Sequence, residues 1–172
     1  MKRHAIVAVL GAVALAACGN EPPPKVATVP PPPPAATTTA APPLKDPAIT
    51  VSKDISDACN ITVPDRAPKF DFDSSQLSSA DRDILQQVAK CMTDGALKGK
   101  NIELIGRADA RGEQEYNMTL GSSRSTAAHT FLKGLGIADA RMSETSRGAL
   151  DATGKDEEGW AKDRRVDMRI AP

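Results

Sequence analysis

The chain has 172 residues and balances 22 basic against 22 acidic side chains. Zero net charge and the lack of any basic tract exclude the electrostatic footprint of a nucleic-acid binder. One Trp, one Tyr and three Phe leave a core of Leu, Ile, Val, Ala and Met, in one domain of about 100 residues once the N-terminal region is set aside.

Lys2, Arg3 and His4 open the chain as a short basic segment, followed by an apolar run from Ala5 to Ala14. The run is too short for a comfortable membrane span and has the form of an export leader. It ends in Leu15-Ala16-Ala17-Cys18, which resembles a bacterial lipobox. Residues 1–17 are then a lipoprotein signal peptide, and the Cys18 thiol takes the diacylglycerol. The alternative is an ordinary leader with a chance cysteine. Gly19 follows the cysteine rather than Asp, which by resemblance to lipoprotein sorting favours the outer membrane. Several acyl chains anchor far better than one.

Residues 18–47 form the lipidated cysteine and a linker rich in Pro, Ala and Thr, including Pro30 to Pro34. Such a stretch buries no core and extends as polyproline. At about 3.1 Å per residue, Glu21 to Pro47 reaches on the order of 80 Å, which suits a spacer; a merely solubilising tail is the alternative.

Residues 48–172 are expected to fold. Asn60 to Asp73 supplies the first strand, with Phe70 and Phe72 on one face by alternation. Asp73-Ser74-Ser75 is a turn. Ser78 or Ser79 caps a helix that runs to about Leu97, with Asp81 in its first turn and Ile84, Leu85, Val88 and Met92 at helical spacing. A strand follows, with Ile102, Leu104 and Gly106 alternating against Glu103, Ile105 and Arg107. Ala108 to Gly112 has turn composition. A helix then runs to about Gly136, its apolar row being Tyr116, Leu120, Ala127, Phe131 and Leu135. Arg124 falls inside that row, where a cation needs an anion. Asp109 is the nearest candidate. Arg141 to Gly148 and Arg164 to Ile170 are the last strands, with a polar loop and a turn of helix around Trp160 to Asp163 between them. The order β-α-β-α-β-β is compatible with an α/β two-layer sandwich, helices on one face of a mixed sheet.

With Cys18 assigned to lipid, Cys59 and Cys91 remain as an even pair in an exported chain. A Cys59–Cys91 disulfide is the leading expectation and would add about 3 kcal/mol; two buried free thiols are the alternative. No metal site is expected, because two isolated cysteines lack ligand spacing.

The segment GRADARGEQEYNMTLGSSRS (Gly106 to Ser125) resembles the signature of the OmpA-like, peptidoglycan-associated lipoprotein family. Gly106, Asp109 and Gly112 fall on its Gly-x-x-Asp-x-x-Gly loop, and Asn117, Leu120 and Arg124 on the Asn-x-x-Leu-x-x-x-Arg of the next helix. FDFDSSQL (Phe70 to Leu77) and DRRVDMRI (Asp163 to Ile170) are similar to its flanking motifs. Three motifs in order, across roughly Phe70 to Ile170, make the resemblance specific. It implies the sandwich fold, a periplasmic place at the outer membrane, and non-covalent binding of the diaminopimelate stem peptide of peptidoglycan, with Asp109 and Arg124 as principal contacts. Their chemistry fits a zwitterion: a carboxylate for the ammonium and a guanidinium fork for the carboxylate. A plain ion pair pinning loop to helix is the competing interpretation. Asn117 either positions the loop or touches the peptide. Arg165 is a contact or supporting residue, whereas Arg164 faces solvent or an acidic neighbour. Asp73 borders the pocket or merely forms a turn.

The pattern is departed from at Arg107 and Ala108, where relatives carry His or Asn and then Thr, and at Asp163, where Asn is usual. A second function class, docking of a Tol-type periplasmic partner, stays open. A wall-cleaving enzyme ranks last, since Asp71 and Asp73 share a strand face but sit in no other recognisable constellation, and no Ser-His-Asp set or zinc motif appears. His129 is expected to be solvated. No cofactor is expected.

Overall fold

The computed structural model describes residues 47–62 and 70–172. The expected leader, Cys18, all of the linker but Pro47, and the strand positions Val63 and Lys69 lie outside the described residues.

The elements run β1 (Ile49–Val51), α1 (Lys53–Cys59), α2 (Ser79–Asp94), β2 (Ile102–Arg107), α3 (Gln114–Gly134), a 3-10 turn (Asp139–Arg141), β3 (Met142–Gly148), α4 (Glu157–Asp163) and β4 (Val166–Ile170). One sheet has the order β1-β4-β2-β3. β1 lies parallel to β4, β2 parallel to β3, and β2 antiparallel to β4. The β2–β3 pair needs a crossover, and α3 supplies it.

Strand alternation sorts the two faces of the sheet. Ile102, Leu104, Met142, Val166 and Met168 turn inward to a core completed by Ile84, Leu85, Val88 and Met92 of α2 and Ala128 and Leu132 of α3. The opposite face is ionic: Arg169 pairs with Glu103 at 2.7 Å, and Asp167 receives both Arg107 and Arg165. Helices therefore cover one face of a mixed sheet.

The first strand is not where alternation around Phe70 placed it. The β-branched run Ile49-Thr50-Val51 takes the edge beside β4, and a helix, α1, fills 53–59. Phe70 is buried at 1 % exposure while Phe72 is 65 % exposed. The chain turns between them and Asp73, which adopts a left-handed φ of 56°. Phe70 keeps one ladder-like bond, its N–H donating to the Arg164 carbonyl at 2.9 Å.

Asp81 holds β1 against α2. Its carboxylate closes the capping box with Ser78 and also accepts from the backbone N–H groups of Ala48 and Ile49. Cys59 at the end of α1 is disulfide-bonded to Cys91 of α2, with a Cα–Cα distance of 5.6 Å.

The buried side of α3 differs from its apolar row. Asn117, Gly121, Arg124, Ser125, Ala128 and Leu132 face inward, while Tyr116 and Leu135 are exposed. The reason is close approach. A Cβ on Gly106 of β2 would sit 1.8 Å from the Gly121 carbonyl oxygen, so the helix meets the strand backbone to backbone. Only glycine fits at that crossing, and the larger apolar residues of the row are displaced to its flank. Among the described residues no helix is long and apolar enough to cross a membrane.

Candidate ligand site

β2 ends beside β4, and the loop 108–112 that follows is tied at several points. Ala108 N–H donates to Gly148 O at 2.8 Å. Asp109 Oδ1 accepts from the Arg111 backbone N–H at 3.1 Å, an Asx turn that carries the chain round. Gly112 takes a φ of 85°, a conformation that suits glycine. Asn117, one turn into α3, donates from Nδ2 to the Arg111 carbonyl at 2.9 Å. Asn117 thus holds the loop, and it also lines the cavity behind it.

That cavity, of about 90 Å³, is bounded by Phe72, Asp73, Asp109, Arg111, Tyr116 and Arg124, among others. Asp73, Asp109, Asn117 and Arg124 are brought together there. Arg165 is not: it sits on the ionic face of the sheet, bonded to Asp167 at 2.7 Å and to the Lys162 carbonyl at 2.8 Å. Its neighbour Arg164 lines the cavity instead. Arg164 is buried between acidic neighbours, donating to Asp109 Oδ2 at 3.1 Å and to Glu157 at 2.7 Å, with Nε on the Phe70 carbonyl at 2.7 Å. Adjacent residues leaving α4 for β4 point to opposite sides, which decides between the two arginines.

Asp109 and Arg124 share the cavity without pairing. Asp109 is bonded by Arg111, Nη2 to Oδ2 at 2.7 Å and Nε to Oδ1 at 3.1 Å, and by Arg164. Burial pushes its carboxyl up, but the hydrogen bonds from Arg111 and Arg164 outweigh this and hold it below the usual aspartate value. Arg124 has no exposed surface. It donates to three backbone carbonyls: Nε to Ser74 at 2.8 Å, Nη1 to Arg107 at 2.8 Å and Nη2 to Asp71 at 3.3 Å. Its guanidinium also lies 5.0 Å from the Phe70 ring centre. Burial, with the neighbouring Arg164 cation, pushes its pKa down to about 10 against the pull of Asp109. It is still charged at neutral pH.

Two further participants, Arg111 and Tyr116, are not marked as site residues by the spacing. Arg111 stacks between Phe72, at 4.5 Å, and Trp160, at 4.1 Å, an arrangement that favours a cation. Tyr116 donates its hydroxyl to Asp73. The one hint was Arg111 standing two residues after an aspartate in a tight turn. Asp163, in place of the expected Asn, accepts from the backbone N–H groups of Thr153 and Gly154 and holds that loop. His129 is not solvated but sits between Glu144 and Asp139. No cluster of three metal-ligating side chains occurs among the described residues.

The OmpA family model matches residues 69–165, a stretch that contains the loop, the cavity and both charged groups. The chain belongs to the OmpA family. A peptidoglycan-associated lipoprotein of Pseudomonas putida is 38% identical over 102 residues, covering 58% of this chain and 60% of the relative. An outer membrane protein A of Bordetella avium is 35% identical over 103 residues, covering 59% and 52%. The matched stretch is thus less than two thirds of these relatives' lengths. The crystal structure of the peptidoglycan-associated lipoprotein from Burkholderia pseudomallei superposes with a TM-score of 0.60 at 34% identity, over 69% of this chain and 100% of that one. The C-terminal domain of Helicobacter pylori MotB, at 18% identity and a TM-score of 0.54, shares the OmpA-like fold.

Proposed function

We propose that this OmpA-family chain is a non-catalytic lipoprotein of the outer membrane that binds the diaminopimelate stem peptide of peptidoglycan and so ties membrane to wall. The observation that carries the reading is Arg124. It is a buried cation with no carboxylate partner among the described residues, at the floor of the cavity that Asp109 lines. Three of its five N–H donors are spent on carbonyls. One remains on each terminal nitrogen, the pair that forks onto a carboxylate. Asp109 supplies the complementary charge for an ammonium. Diaminopimelate carries both groups on one carbon. The names of the relatives support the wall ligand, and the Cys18 motif supports the lipid anchor. Asn117 holds the loop, and Asp73 with Tyr116 forms one wall of the site.

The test is sedimentation of the full chain, in detergent, with purified diaminopimelate-type sacculi. Wild type pellets with the wall; folded Asp109→Ala and Arg124→Lys stay in the supernatant, and no soluble wall fragments are released. A wild type that stays soluble overturns the wall-ligand reading and moves docking of a Tol-type periplasmic protein to first place. Release of fragments would make it an enzyme.

A further inference from the structure

We propose that the Arg111 side chain is a displaceable internal cation, which occupies on Asp109 the place of the ligand's ammonium and swings away when the ligand binds. The inference rests on the ligand reading above and concerns how that site opens.

A carboxylate offers about four lone-pair positions. All four on Asp109 are taken: Oδ1 by the Arg111 backbone N–H and Nε, Oδ2 by Arg111 Nη2 and Arg164 Nη1. A ligand ammonium therefore reaches Asp109 only if a donor leaves. The backbone N–H is fixed by the turn. Arg164 is 6% exposed and pinned by the Phe70 carbonyl and Glu157. The Arg111 side chain is 34% exposed. Among the described residues its only hydrogen-bond acceptor is Asp109, with Glu157 farther off at 3.6 Å. Arg111 is the donor free to go. Phe72 and Trp160 hold its guanidinium by stacking alone, a contact without directional bonds to break. The closed form lowers affinity by the fraction of time the cap is shut. It also keeps Asp109 ionised and paired when no ligand is present.

Trp160 is the only tryptophan in the chain, so its fluorescence reports the stack. The experiment uses the full chain in detergent and the tripeptide L-alanyl-D-glutamyl-meso-diaminopimelate as probe. Calorimetry and Trp160 emission are followed for wild type, Arg111→Ala and Asp109→Asn, each checked for fold by circular dichroism. Arg111→Ala is expected to bind about two- to fivefold tighter, the worth of one partly exposed ion pair. Wild-type emission should move on titration toward the value that ligand-free Arg111→Ala already shows. Weaker binding by folded Arg111→Ala would make Arg111 a ligand contact and overturn the proposal, as would wild-type emission unmoved at saturation. If wild type binds no tripeptide, the ligand reading fails and Asp109→Asn decides the rest. Emission shifted toward the Arg111→Ala value supports a cap held by Asp109; emission unchanged from wild type overturns it.

Discussion

Replacing Gly106 with alanine tests the seam on which the whole site is hung. The new methyl would lie 1.8 Å from the Gly121 carbonyl oxygen and 2.6 Å from its carbonyl carbon. Both atoms are backbone, so no rotamer change relieves the clash. α3 must move off β2 by more than an ångström to restore ordinary contact. Overpacking of this kind costs about 1–3 kcal/mol. The same displacement carries Arg124, one turn further on, away from the Arg107 carbonyl it now meets at 2.8 Å, and a charged hydrogen bond adds about 1.5–3 kcal/mol. Together these give about 2.5–6 kcal/mol, or a fall of about 2 M in the urea midpoint. Gly134→Ala is the control. It makes the same chemical change on α3, the helix that packs on Gly106, but its Cβ meets nothing within 4 Å. It should gain about 0.5 kcal/mol from helix propensity. Urea unfolding of both variants, followed by circular dichroism, reads the contrast. A Gly106→Ala midpoint equal to wild type, or a shift of the same sign in both variants, refutes the backbone-to-backbone seam.

Reduction of Cys59–Cys91 should lower stability by about 3–4 kcal/mol, the loop-closure value for a separation of 32 residues, measured by urea unfolding with and without reductant. Asp81→Ala should lose about 3 kcal/mol, because the carboxylate that accepts from the Ser78 N–H in the capping box is also the acceptor for the Ala48 and Ile49 N–H groups; the same unfolding assay reads it. The Asp109 carboxyl is held below its ordinary value in the folded chain. The unfolded state therefore binds the extra proton first, and the contribution is present above about pH 4 and lost as pH falls through the folded value. The stability gap between wild type and Asp109→Asn should be widest near neutrality and close on acidification; a gap that widens in acid would reverse the sign.

Much of this arrangement can be read from residues whose effects are local. Ser78 and Asp81 announce the start of α2, Ile102 to Arg107 alternates as a strand should, and Asp109-Ala110-Arg111-Gly112 is turn composition. What escapes the sequence is set by contacts between distant segments. The buried face of α3 follows from Gly121 meeting Gly106, so a row chosen by hydrophobicity falls on the flank. β1 lies at Ile49–Val51 because β4 offers its edge there, whereas Phe70 and Phe72 are parted by a turn. Arg124 spends three of its donors on backbone carbonyls, while Asp109 takes its cations from Arg111 and Arg164. No spacing rule separates Arg164 from Arg165; the direction in which the chain leaves α4 does.

The most direct test of the site is calorimetric titration of the full chain with two tripeptides, identical except that one ends in meso-diaminopimelate and the other in lysine. The lysine peptide lacks the second carboxylate, the group assigned to Arg124. Binding of the first with loss of at least tenfold affinity for the second, about 1.4 kcal/mol, is the predicted result. Equal affinity for the two would contradict Arg124 as the carboxylate receptor, and with it the diaminopimelate site.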